Sequence, residues 1–288
     1  MNIHRLWMPL SLTAFLTICP AAPAQTASLA ANRTAATTAN TNSQPGNSAL
    51  EPVAMNALKA MSSQLQTATS FSFTARISRE EQGTNGQMLN FMKTIRVQVQ
   101  RPSRMRLETT DGSSDVTVWC DGKTVTIMPA SGKFYTTLAA GPTLDATLEI
   151  LKNKARNHTP LLPFLLANPY ARLVDGLQTA DEVGITNEGN DQFLHLAFTE
   201  PEADWQLWLA GPNQVLPSRM AVIFKKIEGQ PRLSVDFSDW NLNAEIPADA
   251  FTFLKPPGAM PVNFDSLRYR EFPSESRNRP PRTNTGKR

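Results

Sequence analysis

Apolar and polar residues alternate with period two through one stretch of this chain after another. Met105 and Leu107 alternate with Arg104, Arg106 and Glu108. Val116, Val118 and Cys120 share a side, and Val125 and Ile127 resume it after Asp121-Gly122, a two-residue hairpin signal. The same rhythm places Phe71, Phe73, Ala75 and Ile77 together, then Ile95, Val97 and Val99. Further on it groups Leu194, Leu196 and Phe198, then Trp205, Leu207 and Leu209, then Met220, Val222 and Phe224, and last Leu233, Val235 and Phe237. The segment 134–138 adds one more strand. Side chains along a strand point to opposite faces in turn, so this pattern describes an antiparallel sheet with one dry and one wet face. So many one-sided strands cannot remain flat. The sheet must curl until its apolar face meets itself or a helical plug. The expected fold is mainly β (α+β): a curved antiparallel sheet forming an incomplete barrel, covered by a helical lid.

Two helical regions are available for the cover. Ser48 and Glu51 have capping-box spacing, with Pro52 able to shift the start, and Met55, Leu58, Met61 and Leu65 then fall on one face. Leu144, Leu148, Leu151 and Ala155 form a second stripe. Pro160-Leu161-Leu162-Pro163-Phe164-Leu165-Leu166 is almost wholly apolar, and residues 169–175 add a short turn of helix ended by Gly176. Residues 143–175 read as one long helical block, the natural plug.

The two ends differ from this body. Residues 1–24 read as a cleaved secretory signal: Arg5, an uncharged apolar run over 6–18, and Ala22-Pro23-Ala24 as a small-x-small site. The run falls short of the roughly 20 apolar residues of a membrane span, which places an anchor helix second. Cys19 follows Leu16-Thr17-Ile18, and Ile18 is larger than the residue a lipoprotein signal needs, so removal of Cys19 is expected ahead of its lipidation. Cys120 is then a lone thiol, and no disulfide scaffold is expected. Residues 25–47 are Ala, Thr, Asn and Ser with few large apolar side chains, and read as a disordered linker. Residues 265–288 read as a disordered basic tail, leaving 48–264 as one domain. Residues 55–260 carry 19 basic and 21 acidic side chains, whereas 261–288 carry 7 and 3. The basic charge therefore belongs to the tail, and a nucleic-acid-binding body is excluded. The tail is suited to an anionic membrane surface.

The order of five short motifs resembles the LolA/LolB-like superfamily of periplasmic lipoprotein carriers, and more closely a predicted-periplasmic family of unknown function placed near it. The motifs are a helix followed by Ser70-Phe71-Ser72-Phe73-Thr74-Ala75, Arg101-Pro102 leading into Arg106-Leu107-Glu108, Asp121-Gly122-Lys123-Thr124, Asp204-Trp205-Gln206-Leu207-Trp208, and Phe251-Thr252-Phe253 with Pro256-Pro257-Gly258. The resemblance implies an incomplete barrel with a helical lid and an apolar concavity that takes acyl chains. It also implies that Arg101, the arginine before the proline, helps to hold the lid. The long helical middle and the segment 204–208 depart from the carriers, so the fold carries over better than the cargo.

The candidate cavity wall is Met105, Leu107, Val118, Val125 and Ile127, with Arg101 at its edge. Leu161, Leu162, Phe164 and Leu165 are the candidate lid. Trp119 and Trp208 each stand opposite the main stripe of their strand and are candidate lining residues. Trp205 and Trp240 complete the set of tryptophans considered for a pocket. His158 and His195 with one cysteine make no metal-ligand spacing, and the acidic run Glu200, Glu202 and Asp204 matches no calcium loop. No phosphate loop, nucleophile elbow or carboxylate pair occurs. The expectation is a soluble periplasmic binding protein, not an enzyme and with no cofactor. It would carry or sense a lipid or an acylated protein. The rival is an envelope interaction module docking a partner protein through the acidic run and the tail. An open cavity favours the first and a filled core the second.

Overall fold

The computed structural model describes residues 49–271, apart from 84, 113–114, 156–159 and 212–214. The expected signal, linker and most of the expected tail, along with Ser48 and His158, lie outside the described residues.

Among the described residues, twelve strands form a single sheet. In chain order they are β1 Ser70–Gln82, β2 Met88–Gln100, β3 Arg104–Thr110, β4 Val116–Cys120, β5 Thr124–Pro129, β6 Phe134–Ala139, β7 Thr179–Glu188, β8 Asp191–Thr199, β9 Ala203–Ala210, β10 Pro217–Phe224, β11 Arg232–Asn241 and β12 Met260–Pro261. Their order across the sheet is β12-β6-β5-β4-β3-β2-β1-β11-β10-β9-β8-β7. Each run from β1 to β6 and from β7 to β11 is a meander of neighbours, and β1 joins the two halves by pairing with β11. All pairs are antiparallel except the two-residue β12 beside β6. The sheet is open, with β7 and β12 as its edges, as an incomplete barrel requires.

The helices are α1 Pro52–Thr67, α2 Leu144–Ala155, α3 Leu162–Leu165, α4 Pro169–Val174 and α5 Phe264–Glu271. Helix α1 starts at Pro52 and has no side-chain cap, in keeping with proline's fitness for the first helical position. Glu51 does not close a capping box. Its carboxylate accepts the Glu182 N–H at 2.7 Å and so ties the helix start to β7. Leu58, Met61 and Leu65 are buried and Met55 partly so. They join the inward residues of β1, β2, β8, β9, β10 and β11 in one core.

Four further expectations are corrected. Among the described residues the block 143–175 is not continuous: it carries α2, α3 and α4, with breaks at 160–161 and at 166–168. Prolines at 160, 163 and 169 remove helix donors and fix φ, which suits helix starts and not interiors. The Asp121-Gly122 turn is longer than two residues, because Lys123 also lies between the strands. The Asp121 carboxylate accepts the N–H groups of Lys123 and Thr124 at 2.8 and 2.7 Å, and Gly122 takes φ +94°. Strand β7 was not expected at all, since its side chains are almost all exposed and carry no one-sided pattern. Helix α5 occupies the start of the expected tail, with Leu267 buried.

Candidate functional site

Strand register builds the inner wall in rows. One row runs Val99, Met105, Cys120, Val125 and the next runs Val97, Leu107, Val118, Ile127. Met105 and Val125 are buried, while Leu107, Val118 and Ile127 are partly buried and packed on the same core. The structure thus brings these five candidates together on one face. Helix α2 lies over this part of the wall. Thr147, buried, accepts the Gly141 N–H and donates to the Thr143 carbonyl, and its side chain reaches Cys120. Burial pushes the Cys120 thiol up, away from thiolate chemistry.

Helix α3 covers the other half. Leu161, Phe164 and Leu165 are fully buried, and Leu162 is partly buried against them. The Phe164 ring meets Phe237 of β11 edge-on at 5.1 Å. Asp239 takes φ +57° at the bulge where β11 slips against β1. Trp240, just after it, stacks on Phe73 at 4.2 Å, and its indole N–H donates to the Pro217 carbonyl at 2.8 Å. The concavity is therefore occupied by apolar side chains of α1, α2 and α3.

A small set of polar contacts holds these helices to the sheet at the Arg101-Pro102 corner between β2 and β3. Arg101 Nη2 donates to the Leu166 carbonyl at 2.8 Å, just past the end of α3. Its guanidinium lies 5.4 Å from the centre of the Phe71 ring. The Leu144 N–H, at the start of α2, donates to the Pro102 carbonyl at 2.8 Å. Asp145 accepts the Ala167 N–H at 3.0 Å. Burial lowers the Arg101 guanidinium from its ordinary value, and the Asp145 charge opposes that. Arg101 Nε is buried and has no hydrogen-bond partner among the described residues.

The two tryptophan candidates stand elsewhere. Trp119 shares the outer face with Arg106 and Thr126. Phe253 packs on it at 5.3 Å and on Tyr135 at 5.0 Å, and Arg106 lies 5.7 Å from its ring centre. Arg106 also donates to the Ala250 carbonyl at 3.2 Å. A turn of 3-10 helix over Ala248–Phe251 and the segment after it thus strap the outer face of β3–β6. A groove of about 160 Å³ between Trp119 and Phe253 results. Trp208 also faces outward, stacked on His195 at 4.2 Å, with His195 Nε2 2.9 Å from Gln206 Oε1. Trp205 and Trp240 are the tryptophans that join the apolar core. A second outer groove, about 390 Å³, is lined by Arg96, Arg106, Glu108 and Asp239 among others. Of the acidic run, Glu200 accepts the Trp205 indole N–H at 2.9 Å and Asp204 pairs with Lys225 at 2.7 Å. The described residues hold no cluster of three or more metal-ligating side chains.

Residues 54–265 match the family described as predicted periplasmic protein (DUF2092). No curated protein matches the chain. Among solved structures, the lipoprotein LppX of Mycobacterium tuberculosis aligns at 13% identity and TM-score 0.43, over 68% of this chain and 100% of its own. LprF from Mycobacterium bovis aligns at 13% identity and TM-score 0.39, over 73% and 99%. A LolA superfamily protein from Nitrosomonas europaea aligns at 11% identity and TM-score 0.35, over 69% and 97%.

Proposed function

The chain belongs to the DUF2092 family of predicted periplasmic proteins, and on that premise we propose that it is a periplasmic binding protein whose helical plug gives way to an acyl chain. The observation that carries this reading is how the plug is held. Helix α3 is only four residues long and lies between two breaks. Such a turn has no helical stability of its own and stays in place through packing and the Arg101–Leu166 contact. Behind it stand Phe73, Phe237 and Trp240 of the sheet, in the same apolar core as the wall of Met105, Leu107, Val118, Val125 and Ile127 that α2 covers. An acyl chain that displaced Leu161, Phe164 and Leu165 would meet apolar surface throughout and gain about 0.8 kcal/mol per buried CH₂. Arg101 at the rim is suited to an anionic or carbonyl head group once Leu166 leaves.

The apolar wall and plug support a binding reading. A lipid or an acylated protein is the cargo class that fits. The filled concavity favours a second reading, an envelope interaction module that binds a partner protein without a lipid. Native mass spectrometry of protein purified from the periplasm separates the two. A co-purifying lipid, or saturable binding of a fluorescent fatty-acyl probe, supports the carrier. Protein free of lipid that also ignores the probe supports the module.

A further inference from the structure

The β1–β2 hairpin continues well past the core. From position 88 to 93 every residue of β2 is exposed, although each still pairs with β1. Four of them are large and apolar: Met88 is 38% exposed, Leu89 39%, Phe91 51% and Met92 61%. They occupy both faces. Leu89 and Phe91 share the face of Ile95, Val97 and Val99, while Met88 and Met92 point the other way. Ile227, 53% exposed, adds to the cluster from the turn after β10. A Cβ on Gly229 in that turn would stand 3.5 Å from Met88 Sδ, so turn and hairpin lie side by side.

Charge is distributed to match. Residues 82–92 contain no charged side chain. A ribbon meant for water would place charges there to block edge pairing. The surrounding collar, residues 79–81, 93 and 225–232, carries five basic and three acidic side chains. The rest of 55–260 carries 14 basic and 18 acidic. A neutral apolar tip inside a net positive collar, on a net negative body, is complementary to a bilayer with anionic head groups. Exposure on both faces narrows the choice further. A folded partner or a second copy covers one face of a ribbon, whereas a fluid acyl phase surrounds both. Among the described residues no helix is long and apolar enough to cross a membrane.

We propose that the β1–β2 tip, through Met88, Leu89, Phe91 and Met92, is a membrane-docking finger that inserts into the interface of an anionic phospholipid bilayer. The proposal does not depend on acyl binding in the concavity, since a protein with a permanently closed core would dock in the same way.

Flotation of the full chain with vesicles of phosphatidylethanolamine and phosphatidylglycerol tests it. The wild type is expected to float, and Phe91→Asp with Met92→Asp to lose about a hundredfold in partition. Removal of residues 272–288 is expected to leave flotation largely intact. Both substituted positions are exposed, so a matched melting curve verifies the fold, and Leu89→Ser provides a milder variant on the Phe91 face. Hydrogen exchange should show protection of 82–92 when vesicles are added. Failure of the wild type to float, flotation of the double variant equal to wild type, or loss of flotation on tail removal alone overturns the proposal. So does a change of the double variant from dimer to monomer in sedimentation with no change in flotation.

Discussion

Arg101 makes a charge-assisted hydrogen bond to Leu166 and a ring contact with Phe71, beside Asp145, all at one corner. Its loss leaves the Leu166 carbonyl without that donor. Arg101→Ala is therefore expected to cost about 1.5–3 kcal/mol in chemical denaturation, while raising the on-rate of an acyl probe. Arg101→Lys should not restore the wild type, because an ammonium cannot present the planar fork that reaches Leu166 and covers Phe71 together. Gly122 is a second sensitive point. It holds φ +94°, and an added Cβ would lie 2.7 Å from Ser103 Oγ. Gly122→Ala should destabilise by about 1–3 kcal/mol, measured by thermal melting. Burial alone would raise the Asp121 carboxyl, but the N–H groups of Thr124 and Lys123 and the Thr124 hydroxyl outweigh it and hold the group below the usual carboxylate range. A carboxyl depressed on folding stabilises above its unfolded pKa, near 3.9, and loses that contribution as pH falls through its folded value. Asp121→Asn should flatten the acid limb of the stability–pH curve in that window and leave neutral-pH behaviour of other groups unchanged. The outward direction of Trp119 and Trp208 followed from alternation. Their partners did not: Phe253 lies far along the chain from Trp119, and period-two spacing says nothing about what covers an outer face.

At the scale of elements, alternation was a good guide wherever one face was buried. It located the inner residues of β3, β4, β5, β8, β9, β10 and β11 because burial writes itself into every second position. It failed where neither face, or only an edge, was buried. Strand β7 reads Thr-Ala-Asp-Glu-Val-Gly-Ile-Thr-Asn-Glu and is held by backbone pairing to β8. The outer half of β2 is apolar on both sides and showed no stripe. Helix breaks in the lid were signalled by Pro160, Pro163 and Pro169, but the apolar run around them read as one block. The lid is nonetheless part of the cooperative core in the closed state. Phe164→Ala, which empties a fully buried site against Phe237, should cost about 3–5 kcal/mol. A denaturation midpoint equal to wild type would show that α3 is not packed as described.

For the whole molecule, one sheet presents an apolar face to three short helices and α1, a polar face partly strapped by the C-terminal segment, and an exposed finger at one end. The fold class was legible because a long series of one-sided strands has few ways to bury its apolar face. The proposed acyl ligand was not, because an apolar wall and its shape leave no motif in the sequence. In the proposed mode of binding, the helices around 161–174 yield to an acyl chain while the sheet behind them stays. Hydrogen–deuterium exchange with and without a fatty acid below its micelle concentration tests this most directly. Exchange across 161–174 is expected to become faster when the acid binds, with β1, β10 and β11 unchanged. Binding that leaves 161–174 as protected as before, or no binding at all, would contradict it.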